Sequence, residues 1–132
     1  MWNVASKSLL CTCPGHTKAV LAVAVMPDGQ RFLSGGLDGT VRVWRLNGTL
    51  ENTFTLHYVT ALVALPDNQH ALSGSIDTTV KLFNVNDGAV LRTFTPQRTV
   101  TVHCLALLPD GLRFVSGSSD KTARIAYHGI TL

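Results

Sequence analysis

Charge is scarce in this chain. Only 14% of its 132 residues are Asp, Glu, Lys or Arg, against about 25% in an average soluble domain. Lys plus Arg number 11 and Asp plus Glu 8, and no run of basic residues gathers the formal net charge of +3. Binding to nucleic acid or to an anionic membrane surface is therefore not expected. Cysteine is scarce too: Cys11, Cys13 and Cys104 are an odd number and too few for a disulfide framework. Cys11 and Cys13 alternate along a strand-like run, without the Cys-x-x-Cys loop and second ligand pair of a structural zinc site. No metal is expected, and these side chains read as small buried groups. Long apolar runs are absent as well. The longest uncharged stretch, Asn52 to Pro66, is interrupted by threonines, His57 and Tyr58, whereas a membrane span needs roughly 18 or more apolar residues. The first seven residues lack a charged segment followed by an apolar core, so no secretory leader is expected and the setting reads as intracellular and cytoplasmic. No segment carries a helical period. A chain 45% apolar with so few charges reads as one that touches other protein.

What is present is repetition. Val20 to Gly29 followed by Arg31 to Trp44 aligns with Ala61 to Asn68 followed by His70 to Phe83, and again with Cys104 to Gly111 followed by Arg113 to Ala126. Asp38, Asp77 and Asp120 recur at spacings of 39 and 43 residues; a fixed period of this size marks a repeat architecture. Within each unit the apolar period is two, with Val41 and Val43 flanking Arg42 and Val80 and Leu82 flanking Lys81, as a half-buried strand requires. Pro27-Asp28-Gly29, Pro66-Asp67-Asn68 and Pro109-Asp110-Gly111 read as tight turns. Asn47-Gly48 and Asp87-Gly88 mark a further hairpin turn in two units. Each unit is thus an antiparallel meander of four short strands, a to d, and the fold class is all-β.

These residues resemble the WD-repeat β-propeller family. Gly15-His16 before strand a, Ser34 on strand b, Asp38 in the b-to-c turn and Trp44 at the end of strand c supply one complete set of its marks. The resemblance implies that His, Ser, Asp and Trp form a buried hydrogen-bonded tetrad that locks a blade, each polar group satisfying the next. The second unit keeps His57, Ser73 and Asp77 with Phe83 in the Trp position. The third keeps Ser116 and Asp120, has Ala126 for Trp and lacks a His in register. The Asp of the Trp-Asp pair is Arg45, Asn84 and Tyr127. Trp2-Asn3 falls on another Trp-Asp position, so residues 1–14 read as strand d of a split blade. Residues 15–54 and 55–96 read as blades one and two, and 97–132 as a third blade lacking strand d. Three blades are fewer than the roughly four to eight of closed rings. A partial ring is implied, or one completed by oligomerisation: a homodimer of six blades, or a larger complex.

Other chemistries fail on the residues. Leu33-Ser34-Gly35-Gly36 is close to a transporter-ATPase signature, but no P-loop accompanies it. Ser119-Asp120-Lys121-Thr122 has the look of a phosphorylated-aspartate motif, yet its Asp belongs to the repeat. Asn47-Gly48-Thr49 matches a glycosylation sequon and reads better as a turn. No catalytic residue and no cofactor are expected. The expected function is a non-catalytic protein-interaction module or scaffold. Its partner face would be built by the d-to-a and b-to-c loops, which carry Lys18, Leu37, Tyr58, Ile76, Arg98 and Ser119, with Leu37 and Ile76 as apolar groups at exposed turns. The alternative is a structural subunit held permanently in a multiprotein complex.

Overall fold

The computed structural model describes residues 13–95, 101–118 and 121–129 in full, and the backbone of 2–3 and 8–9. Thirteen strands and no helix occur among them. β1 (Trp2–Asn3) and β2 (Ser8–Leu9) form a short hairpin. The first four-stranded sheet runs β3 (Val20–Val25), β4 (Arg31–Gly36), β5 (Thr40–Arg45), β6 (Leu50–Thr55). The second runs β7 (Val59–Ala64), β8 (His70–Ser75), β9 (Val80–Asn84), β10 (Val90–Phe94). The third has three strands, β11 (Val102–Leu107), β12 (Arg113–Ser118) and β13 (Ala123–Tyr127). Every pairing is antiparallel between consecutive strands, the meander that the period of two predicts.

The hairpin of β1 and β2 sets Trp2 opposite Leu9, as Trp44 stands opposite Leu50 in the first sheet. Of residues 1–14, expected to supply strand d of a split blade, residues 1, 4–7 and 10–12 lie outside the described residues.

The Pro-Asp turns connect the first two strands of each sheet. Gly29, Asn68 and Gly111 take positive φ (67°, 60° and 70°), and their N–H groups donate to Met26, Leu65 and Leu108 carbonyls. The b-to-c turns need the same left-handed geometry, at Gly39 (φ 81°), Thr78 (φ 77°) and Lys121 (φ 68°). For a β-branched residue such as Thr78 this backbone is an outlier.

The sheets stack in chain order over two apolar cores. Leu33, Val41 and Val43 of the first sheet meet Leu62, Ala71 and Phe83 of the second. Leu72, Val80 and Leu82 on the far face of the second meet Val102 and Phe114 of the third. Strand register makes Val23 the counterpart of Leu62, since each sits opposite the strand-b serine. Leu62 is 7% exposed at a joint between sheets, whereas Val23 is 67% exposed on the outer face of the first sheet. By the same register Val43 and Leu82 are fully buried, while Ile125 is largely exposed on the outer face of the third.

The repeated Ser-Gly explains how closely the layers approach. A Cβ on Gly35 would lie 2.6 Å from Val59 Cγ1, and one on Gly74 2.8 Å from Val102 Cγ1. The glycine admits the first strand of the next sheet. A polar clamp also ties the first joint. Arg31 donates from Nη2 to the Asn68 carbonyl (3.1 Å) and from Nη1 to Asn86 Oδ1 (3.2 Å), while Asn68 Nδ2 donates to Asp28 Oδ2 (3.0 Å).

Candidate functional site: the loop face and the polar chains beneath it

On the first sheet the b-to-c turn and the segment before β3 bring four predicted residues together. His16 lies between Asp38 Oδ2 (Nδ1, 2.8 Å) and Ser34 Oγ (Nε2, 2.6 Å). Trp44 Nε1–H donates to the same Ser34 Oγ at 2.8 Å. A fifth residue closes the end: Thr40 donates from Oγ1 and from its backbone N–H to Asp38 Oδ1 (2.8 and 3.1 Å). The chain therefore runs unbroken from a turn at the surface to a buried indole stacked on Phe32 (centroids 6.3 Å apart, planes 13°). Burial pushes the Asp38 carboxyl up, but hydrogen bonds from Thr40, His16 and the Thr17 N–H outweigh it and hold the group at about 2.

The second sheet repeats the chain without its last link. His57 sits 3.1 Å from Asp77 Oδ2 and 2.8 Å from Ser73 Oγ, and Thr79 Oγ1 donates to Asp77 Oδ1. Phe83 occupies the Trp position, fully buried in the first core. Burial lowers the His57 pKa, with the Asp77 carboxylate opposing and Lys81 adding to the fall. Burial raises Asp77, and Thr79 and His57 more than offset it, so its carboxyl titrates below the usual range. The two aspartates differ in access: the Asp38 side chain is 5% exposed and that of Asp77 41%.

Between these aspartates lies an open cleft of about 370 Å³, lined by Asp38, Gly39, Thr55, Leu56, His57, Tyr58 and Asp77. Tyr58 and Ile76, both predicted for the partner face, are exposed on the d-to-a connection and the b-to-c turn, Tyr58 within this cleft, and Lys18 is exposed on its own connection. Leu37 is half-buried rather than exposed, so the turn that carries it offers less apolar surface than its sequence implies. Arg98, Ser119 and Asp120 lie outside the described residues.

The third sheet departs furthest. Ser116 is buried, Ala126 replaces the ring, and His103 is exposed on β11, away from the strand-b serine. His128, which the sequence did not single out, is fully buried, with Nε2 2.6 Å from the Gly111 carbonyl oxygen. Thr40 and Thr79 were also missed, although an Asp-x-Thr spacing recurs at 38–40, 77–79 and 120–122.

Comparison with known proteins meets this geometry. The family described as "WD domain, G-beta repeat" matches residues 7–45, 48–84 and 88–125. The chain belongs to the WD40 repeat family. Repeats of this family imply protein–protein interaction, and the three matches run one strand out of step with the sheets: they begin ahead of β2, β6 and β10 and end on the third strand of the sheet that follows. Pre-mRNA-processing factor 19 of Bos taurus is 29% identical over 129 residues, 95% of this chain and 26% of that protein. The ribosome biogenesis protein WDR12 homolog of Drosophila virilis is 41% identical over 56 residues, 39% of this chain and 13% of that protein. Its Drosophila erecta counterpart is 47% identical over 45 residues, 33% of this chain and 11% of that protein. The chain thus spans about a tenth to a quarter of these WD40 relatives. Among its described residues no helix is long and apolar enough to cross a membrane.

Proposed function

We propose that this WD40 chain is a non-catalytic interaction module that presents the loops around Tyr58 and Ile76 to another protein. The observation that carries the reading is the exposure of these two large side chains, Tyr58 lining the cleft and Ile76 next to Asp77, on loops tied to the sheet by the His57–Asp77–Ser73 chain. Exposed groups on loops held by a rigid scaffold are where binding residues concentrate. The serines of both polar chains are buried, which supports a structural over a nucleophilic role for them. The thin, scattered positive charge supports a protein partner over a nucleic acid. An intracellular setting goes with this reading. The relatives' names refer to ribosome biogenesis and pre-mRNA processing, which supports service within a large assembly and lends nothing to a specifically cytoplasmic placement.

Affinity capture with the full chain tests it. Tyr58→Asp and Ile76→Asp should each lose the bound proteins with unfolding transitions unchanged, while Asp87→Ala, on the opposite loops, should retain them. Equal loss from both sets would refute the choice of face. A second reading, a permanently docked subunit or a homodimer, is favoured by the apolar outer faces that carry Val23 and Val25 at one end and Ile125 and Tyr127 at the other. Light scattering on the purified chain separates the two, since that reading requires association.

A further inference from the structure

The two joints between sheets share one fit, and the outer faces of the chain carry its two halves apart. At the first joint Val59, which opens β7, fills the space over Gly35; at the second Val102, which opens β11, fills the space over Gly74. These valines are 0% and 2% exposed. Val20 is their counterpart, since each of the three pairs with the last residue of its own strand b. It opens the outer sheet and is 47% exposed. The matching glycine at the other end is Gly117, where a Cβ would meet only Cys104 Sγ of the same sheet. The apolar surroundings follow suit: Val23 holds the register position of Leu62, and Ile125 that of Val43 and Leu82.

Apolar faces alone name no occupant, but the polar clamp does. At the first joint Arg31 is steadied by Asp28 (Nε to Oδ2, 3.4 Å) and reaches across to the Asn68 carbonyl and the Asn86 side chain. The third sheet repeats the donor half. Arg113 opens β12 as Arg31 opens β4, and its Nε donates to Asp110 Oδ2 at 2.8 Å. Its side chain is 41% exposed, against 14% for Arg31. The first sheet repeats the acceptor half. Gly29 holds the turn position of Asn68, with the same positive φ, and Asn47 that of Asn86; both are exposed. The second joint has no such arginine, because His70 stands there and turns back on Asp67 (2.6 Å). The third sheet thus offers outward the edge that the first sheet offers inward, and the first sheet's outer edge carries the acceptors for it.

We infer that a second copy of this chain covers both ends. The outer face of the third sheet in one copy packs on the outer face of the first sheet in the other, with Val20 over Gly117 and Arg113 reaching the Gly29 carbonyl and the Asn47 side chain. Such a head-to-tail contact either closes a ring or grows without limit. Two copies bring six sheets, within the roughly four to eight blades of closed rings, so the pair closes through two identical joints. The inference rests on the second reading above, to which it gives a partner and contacts, and uses neither Tyr58 nor Ile76.

Sedimentation of the full chain over a wide range of concentration tests it, and should give twice the mass of one chain. Val20→Asp and Ile125→Asp should each raise the dissociation constant at least about tenfold, because each would bury an unpaired carboxylate at both joints. An equal mixture of these two variants should recover a dimer, since one of its joints then has both native faces; a face-to-face dimer would gain nothing from mixing. Val23→Asp supplies the first lesion should Val20→Asp not fold. Arg113→Ala and Asn47→Ala should each weaken association several-fold, and the double variant should be no weaker than Arg113→Ala alone. A monomer at every concentration, variants that stay apart on mixing, or growth beyond two copies would each overturn the proposal. A dimer indifferent to all these changes would leave the second reading standing and remove this joint. Tyr58→Asp should leave the mass unchanged, so failure here is distinct from failure of the loop-face reading.

Discussion

Trp44→Phe removes one donor from the inner end of an otherwise satisfied chain, and its cost can be worked from the contacts. Trp44 is buried and its N–H lies 2.8 Å from Ser34 Oγ. Losing a neutral hydrogen bond of this kind costs about 0.5–1.5 kcal/mol net. Ser34 keeps His16, so no acceptor is stranded. The smaller ring also leaves space against Phe32, and large-to-small changes in a core add a cavity cost. The sum is on the order of 1–3 kcal/mol. Ser34→Ala should cost more, since it leaves both His16 Nε2 and Trp44 Nε1 without their partner, and each stranded buried group costs about 1–3 kcal/mol. Urea titrations of the two single variants and the double variant close a cycle. The coupling energy should fall near the value of one hydrogen bond. A Trp44→Phe protein as stable as the parent, or a coupling of zero, would refute the claim that Ser34 joins histidine to indole. Phe83→Trp is the control in the other direction. Sequence alone favours a neutral or stabilising change, but Phe83 is fully enclosed, so overpacking opposes the new bond to Ser73 and the net effect should lie within about 1 kcal/mol of zero.

Acid should destabilise the chain in two stages. His57 has a folded pKa held below 6.5, so its stabilisation is present above about 6.5 and is lost as the pH falls through that value; Asp38, held at about 2, loses its share as the pH falls from about 3.8 towards 2. Unfolding free energies across this range should show both limbs, with His57→Gln removing the upper and Asp38→Asn reducing the lower, which Asp77 and Asp67 share; a flat profile above pH 5 would count against the first. Gly35→Ala should cost about 1–3 kcal/mol in a denaturant titration, because the new methyl group meets Val59 at 2.6 Å, and a neutral result would show that the two sheets can part without penalty.

The strands were legible because apolar alternation and Pro-Asp turns are local signals repeated three times. His16, Ser34, Asp38 and Trp44 were legible for a different reason: their spacing relative to those turns recurs, so the second copy checks the first. Residues without a repeated counterpart were not. His128 stands alone, and nothing near it in the chain announces that its ring reaches Gly111. The Arg31 clamp was equally hidden, because Asn68 and Asn86 lie 37 and 55 residues away and local pattern carries no record of such pairing. Ala126 was visible as a missing tryptophan, but that Phe94 packs edge to face on Phe114, opposite Ala126, is a contact between sheets that local pattern does not record. Leu37 read as exposed because its turn is; the folded chain half-buries it.

The polar chains also bear on how a partner would arrive. In the first two sheets the b-to-c turn is clipped from within by its own threonine and tethered from below by a histidine whose other nitrogen is held in the sheet. A loop held at both ends of its side-chain path has little freedom left to surrender on contact. Association on such a surface would forfeit less ordering entropy than on a free loop, and the encounter would approach docking of rigid bodies with small backbone adjustment. Differences in affinity among partners would then be written in how long each complex lasts rather than in how fast it forms.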